Sequence, residues 1–260
     1  MNLHASFLKR VGLENSGQVQ FEDLERILKA FSLTIPFENF GILDNKKIPL
    51  TAESLSFKIL EQRRGGVCYE LNPLLYYFLT ENHLDVQLIQ GTVYNHAEQK
   101  WSLSGTHAAI LLSTDSSSYL LDSGFGTNVA QKPIPMNGEM TESATGKFRI
   151  REKSTSEGSH LLEMRLDSEQ QDSWKIGYAF HADRPLNLTD LYDIQAKIHD
   201  NPDSPFNKKP LAAMRTETGV KTLSEASFSV TEDGRTEKHP LSAGEFQKMA
   251  EKEFGLQGLL

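Results

Sequence analysis

Residues 63–72 read Arg63-Arg64-Gly65-Gly66-Val67-Cys68-Tyr69-Glu70-Leu71-Asn72. The glycine pair is followed by Leu71, Leu74, Leu75 and Phe78, an apolar-rich run. Glycine accepts turn conformations and close backbone approach, so this stretch is expected to be a turn that opens a helix at Cys68. A thiol there faces N–H groups without an intrahelical acceptor and the positive end of the macrodipole. Both favour the thiolate, the nucleophilic form. The same residues also fit an ordinary helix–turn–helix holding a small buried cysteine. Pro73 removes one i→i−4 bond, so a kink or a separate turn is expected there.

Upstream, Phe21, Leu24, Ile27, Leu28 and Phe31 recur at helical spacing. A second helix is expected from Thr51 as N-cap, with Glu53 in its first turn, through Leu55, Ile59 and Leu60 until Gly65-Gly66 stops it. Downstream of Asn82 the texture changes to short strands. They are expected over 86–94, 107–112, 119–122, 147–153, 160–166 and 174–181, separated by turn formers such as Asp115-Ser116-Ser117-Ser118. Helical spacing returns over 188–198. A proline-rich connector covers 201–210. Segments 219–223 and 226–231 follow, with a hairpin turn at Asp233-Gly234 and a capping box from Ser242 to Glu245 that opens a last helix over 246–254. Helices, then many strands, then a small mixed end make an α+β chain with segregated parts.

The chain has 260 residues, 38% hydrophobic and 24% charged, the composition of a globular protein of one large or two small domains. Its formal net charge is −8. An acidic chain lacks the electrostatic footprint of a duplex binder, so no nucleic-acid partner is expected, although a local pocket can still take an anionic small ligand. A single cysteine forms no internal disulfide and builds no multi-cysteine metal site. No apolar run approaches the length of a membrane span, and residues 1–12 do not read as a signal peptide. A reduced, cytoplasmic location without a membrane partner is the expectation.

A thiolate catalyst needs a base, and the base an orienting group. His107 precedes Ala108-Ala109-Ile110-Leu111-Leu112, which puts it at the start of a buried strand. Asp122 ends the next apolar strand. Consecutive strands often pair, which would bring the two side by side. A core histidine satisfied by a carbonyl and a turn aspartate are the alternatives.

Residues 63–72, Thr106-His107 and Leu121-Asp122-Ser123-Gly124-Phe125-Gly126 together resemble the arylamine N-acetyltransferase family, whose pattern is R-G-G-x-C-[FY]-E-x-N, then T-H, then D-x-G-F-G. Pro36-Phe37-Glu38-Asn39 and Ser204-Pro205-Phe206 with Arg215 resemble its early and late segments. The resemblance implies an N-terminal helical bundle (1–83) carrying the nucleophile, a central β-barrel (84–187) carrying histidine and aspartate, a helical connector (188–210) and a C-terminal α/β lid (211–260). The core would be like that of cysteine proteases and transglutaminases. It implies a triad of Cys68, His107 and Asp122, with Glu38 and Arg64 as a supporting ion pair; for Arg64 a solvated side chain is the alternative. An aryl-binding slot would use Phe37, Val93, Phe125 and Phe206, where core packing accounts equally for Val93. Gly124, Gly126 and Thr127 could present N–H groups to the pyrophosphate of coenzyme A, although a strand-end turn explains Gly-x-Gly as well. The implied reaction is acetyl transfer from acetyl-CoA to an arylamine or hydrazine, with no metal. Its rivals are a cysteine hydrolase or transglutaminase-like acyltransferase using the same triad, and a binding protein with a decayed site.

Overall fold

The computed structural model describes residues 2–14, 17–166, 173–242 and 244–258. The N-terminal third is helical: α1 (Leu3–Arg10), α2 (Leu24–Thr34), a two-residue strand β1 (Phe37–Glu38), α3 (Phe40–Leu43), α4 (Ala52–Ser56) and α5 (Cys68–Glu81). Strands follow: β2 (Asp85–Asn95), β3 (Lys100–Trp101), β4 (His107–Ser113), β5 (Ser118–Leu121), β6 (Ile134–Pro135), β7 (Thr141–Ser143), β8 (Gly146–Glu152), β9 (His160–Leu166) and β10 (Lys175–Pro185). The chain then forms α6 (Leu188–Asp200), β11 (Leu211–Arg215), β12 (Gly219–Ser224), β13 (Ser227–Glu232), β14 (Arg235–Pro240) and α7 (Glu245–Phe254).

β2 to β10 make one antiparallel sheet in the order β6-β5-β4-β2-β10-β9-β8-β7, with β3 paired to β2. It curls until β6 meets β8, a nearly closed barrel. β4 is central and buried on both faces, which explains its unbroken apolar run. Side chains alternate along a strand. Ala108, Ile110 and Leu112 therefore pack on the helices, and Ala109 and Leu111 fill the barrel with Ile89, Leu120, Phe148, Leu162 and Phe180. By the same alternation His107 and, beyond Leu120, Asp122 fall on the barrel side.

A second sheet runs β1-β11-β12-β13-β14. Its first strand comes from the helical third: Phe37 pairs with Ala213 and Glu38 with Ala212. Phe37 also bridges Gly66, so two residues tie the cysteine loop to the C-terminal sheet. α7 packs Ala250 and Phe254 on this sheet against Leu223, Phe228 and Phe40.

Several expectations need correction. Phe21 belongs to a separate 3-10 turn, Phe21–Asp23, and α2 starts at Leu24. Thr51 does cap α4, its hydroxyl accepting from Ser54 N–H, but the helix does not run on to Gly65. It loosens into a π turn at Phe57–Glu61, with Gln62 N–H reaching Phe57 O, and ends where Arg63 turns left-handed at φ 56°. Gly65 serves close approach instead: a Cβ there would stand 2.0 Å from Pro36 O. α5 is one helix through Pro73, without a separate turn. Within the expected capping box, Ala243 lies outside the described residues. Ser242 does not cap; Glu245 accepts from its N–H and hydroxyl, Gly244 is the N-cap, and α7 begins at Glu245. The Asp233-Gly234 turn joins β13 to β14 with both residues at positive φ, 47° and 73°, the two-residue turn that suits hairpin twist.

Candidate active site

Cys68 is the first residue of α5, where its own N–H has no intrahelical acceptor. The carboxylate of Glu70, one turn in, accepts from Val67 N–H at 3.2 Å and pairs with Lys58 Nζ at 2.6 Å, which anchors the helix start. Gly66 must stay small because a Cβ would meet Glu70 Oε2 at 2.6 Å. On the other side of the loop, Glu38 donates its backbone N–H to Gly66 O. Its fully buried carboxylate accepts from Phe40 N–H and from Arg64 Nε, at 3.1 Å. The structure thus places Glu38 and Arg64 together beneath the cysteine loop.

The Cys68 thiol donates to Thr106 O at 3.5 Å and lines the same cavity as the His107 ring. His107 Nε2 lies 2.7 Å from Asp122 Oδ2, which leaves Nδ1 as the ring nitrogen for sulfur. Asp122, its side chain 5% exposed, receives three further hydrogen bonds. Tyr178 OH donates to Oδ2 at 3.0 Å; Asn72 Nδ2 and Gly124 N–H donate to Oδ1, both at 2.8 Å. Burial alone would push His107 down, but the charge and hydrogen bond of Asp122, with Cys68 adding, raise it from 6.5 to about 10. Burial would raise Asp122; the charge of His107 and the hydrogen bonds from His107, Asn72 and Gly124 pull it below its ordinary value. Burial, then Asp122, raises Tyr178 well above the usual phenol range, so it remains a donor.

Three contributors were not read from the sequence as site residues. Asn72 sits one helical turn after Cys68 and clamps three elements: beyond Asp122 it donates to Ala108 O at 2.6 Å and accepts from Ser123 N–H at 2.8 Å. A polar residue in an apolar helix, four positions from the cysteine, was the signal for it. Tyr178 stands 4.5 Å from the His107 ring, centroid to centroid. Gly91 makes room for both rings, since a Cβ there would reach 3.1 Å from Tyr178 and 3.6 Å from His107. Neither has a local sequence mark, because each acts from a strand remote in the chain.

A cavity of about 240 Å³ opens over Cys68 and His107. Phe37, Val93, Phe125 and Phe206 all line it, with Ile198 and Leu103. Phe37 and Phe206 are 5.7 Å apart. Asn39 fixes this wall by donating to Phe206 O and Lys209 O and accepting from Leu211 N–H, each at 2.8 Å. Gly124 and Gly126 line the cavity; Thr127 does not. The N–H of Gly124 is committed to Asp122, which removes it as a phosphate donor. Its small size is needed because a Cβ would lie 2.7 Å from Cys68 Cα. Among the described residues no helix is long and apolar enough to cross a membrane.

A thiol beside an imidazole that is itself hydrogen-bonded to a carboxylate, at the floor of an aromatic cavity, is an arrangement suited to nucleophilic cysteine catalysis. An N-acetyltransferase family model matches residues 20–258. An uncharacterized acetyltransferase of Bacillus subtilis, YvcN, is 41% identical over 234 residues, 88% of this chain and 90% of that one. A probable arylamine N-acetyltransferase of Dictyostelium discoideum is 31% identical, covering 87% of this chain and 82% of its own. The crystal structure of an arylamine N-acetyltransferase from Bacillus cereus superposes with TM-score 0.94 at 37% identity, over 98% of this chain and 99% of that one. The chain belongs to the arylamine N-acetyltransferase family of acyltransferases. The Bacillus cereus enzyme carries a Cys-His-Glu triad; here the carboxylate bonded to His107 is that of Asp122.

Proposed function

We propose that this protein transfers the acetyl group of acetyl-CoA to arylamines or hydrazines by a ping-pong route through acetyl-Cys68. The observation that carries this reading is the series Cys68, His107 and Asp122, with one carboxylate oxygen 2.7 Å from the imidazole. Asp122 holds the Nε2–H tautomer, which leaves Nδ1 to take the thiol proton. The thiolate attacks the thioester carbonyl. The carbonyl–sulfur bond to coenzyme A breaks, and His107 gives the proton to the departing sulfur, so that coenzyme A leaves as the thiol and His107 is again a base. The two thioesters are close in energy, so the acetyl-enzyme can accumulate. An arylamine is neutral at pH 7 and attacks the acetyl carbon. His107 takes its proton as Cys68 departs, leaving the amide and free enzyme. The N–H of Cys68 is the oxyanion donor.

In this reading Phe37, Val93, Phe125 and Phe206 form the aryl slot. Gly126 and Thr127 face the phosphates, while Gly124 shapes the loop. Residues 1–83, 84–187, 188–210 and 211–260 act as bundle, barrel, connector and lid. The test is mass spectrometry after mixing with acetyl-CoA alone. A gain of about 42 Da on Cys68, absent in Cys68→Ser and discharged by an arylamine, is expected of covalent transfer. Adduct loss to water at the same rate with or without amine would favour a hydrolase and overturn the reading.

A further inference from the structure

A second cavity, of about 430 Å³, lies against α4 and the π turn and shares no lining residue with the cavity over Cys68. Ile48, Pro49 and Phe57 form an apolar part of its wall, and Lys46, Lys58 and Arg64 supply cationic groups. Phe57 is 51% exposed, so its ring is open to a molecule in the cavity. The two inner cations are largely covered, with side-chain exposures of 13% for Lys58 and 16% for Arg64. Lys58 has one partner, Glu70. Arg64 directs only Nε into a hydrogen bond; Nη2 is sealed from water and lies 3.0 Å from the same Glu38 oxygen without a hydrogen bond to it. Nε and Nη2 are thus both turned to Glu38, and Arg64 adds its positive charge, not a free fork, to the cavity wall. Lys46 at the mouth pairs with Asp44, and Glu53 is the one acid in the lining.

We propose that this cavity is a second small-molecule site, for an aryl carboxylate. The flat ring would lie on Phe57, Ile48 and Pro49. The carboxylate would be met by the Lys58 ammonium, which has donors beyond the one given to Glu70, with the charge of Arg64 beside it; a covered cation strengthens such a bond. A neutral aryl compound would leave these N–H groups unmet, and an aliphatic dianion would waste the apolar wall. The inference goes beyond acetyl transfer and does not depend on it.

The probe is 2-naphthoate, which has no amine to acetylate, titrated by calorimetry into wild type, Phe57→Ala and Phe206→Ala. Saturable binding to wild type is expected, weakened at least tenfold in Phe57→Ala and kept in Phe206→Ala, whose change is in the other cavity. The neutral amide of the same acid is expected to bind at least tenfold more weakly than the carboxylate. Phe57 is half exposed, so its variant should melt near wild type, and Phe57→Trp should restore binding. Loss in Phe206→Ala with retention in Phe57→Ala, equal binding of the amide, or no saturation up to about 10 mM would each overturn the proposal.

Discussion

The two walls of the cavity over Cys68 are built by different means. The inner wall, where α5 meets the barrel rim, is fixed by side-chain hydrogen bonds: Asp122 alone receives four, from three elements and its own loop. The outer wall, made by β1, the last turn of α6 and the segment after it, presents Phe37, Ile198 and Phe206 and is held from behind, through backbone groups and Asn39. Charge must be placed to within a few tenths of an ångström to act on a proton; an apolar surface need only have the right shape. On the proposed ping-pong route, the inner wall should therefore govern the first half-reaction and the outer wall the choice of acceptor.

The strongest test of that division is Asp122→Asn. The amide oxygen can keep Asn72 and Gly124, but its NH2 then faces His107 Nε2, which must become an acceptor. The ring proton moves to Nδ1, where it blocks uptake of the thiol proton. The equivalent change in a serine protease triad costs about 10⁴-fold, and a loss of that order in single-turnover acetylation of Cys68 is expected, with the variant still folded. A lowered melting point with an unchanged single-turnover rate would reduce Asp122 to a turn residue. Tyr178→Phe keeps the ring and deletes one donor to the carboxylate. A hydrogen bond to a charged group is worth about 1.5–3 kcal/mol, so a loss of about tenfold or more in the same assay is expected.

The pair also makes a pH prediction. His107 is raised to about 10, so the stability it contributes is complete below its unfolded value near 6.5 and is lost as pH rises through about 10. The depressed Asp122 works at the other end, its contribution present above about 3.8 and lost as pH falls below that. The melting-point gap between wild type and Asp122→Asn should therefore shrink between pH 7 and pH 10.5, by about 2 °C or more. A gap that stays constant over that range would mean that the imidazole is not charged in the folded state.

On the outer wall, Phe206→Leu removes one ring from an aromatic pair, an effect of about 0.5–1.5 kcal/mol. We expect kcat/KM for an aromatic amine to fall about two- to tenfold while acetylation of Cys68 by acetyl-CoA stays near wild type. Equal effects on both half-reactions would break the comparison. Gly234→Ala, far from either wall, forces a left-handed alanine at φ 73°. It should cost about 1 kcal/mol in a denaturation curve and leave both half-reactions alone.

What was legible in the sequence follows the same division. The cysteine loop, the strand starting at His107 and the aspartate after Leu121 are local patterns, and strand alternation brings them together. The Asp233-Gly234 turn carries its own conformational signature. β1 has no such mark, because two residues become a strand only when β11 arrives to pair with them. The π turn depends on the packing of α4 against its neighbours, where a regular period had been expected. Gly65, Gly91 and Gly124 are glycines for what passes beside them, and periodicity carries no record of that. Tyr178 reads as one more apolar strand residue until its hydroxyl is seen to face Asp122.

The pairing of Phe37 with Ala213 sets a timetable for the nascent chain. Cys68 is polymerised about 145 residues before Ala213. At about 5–20 residues per second, the thiol-bearing helix waits roughly 7–29 s for the strand that pairs with β1 beside it. Until that wait ends, β1 beside the one cysteine of the chain lacks its partner strand. Any chain cut short before β11 would carry every residue that lines the cavity yet leave β1 permanently unpaired.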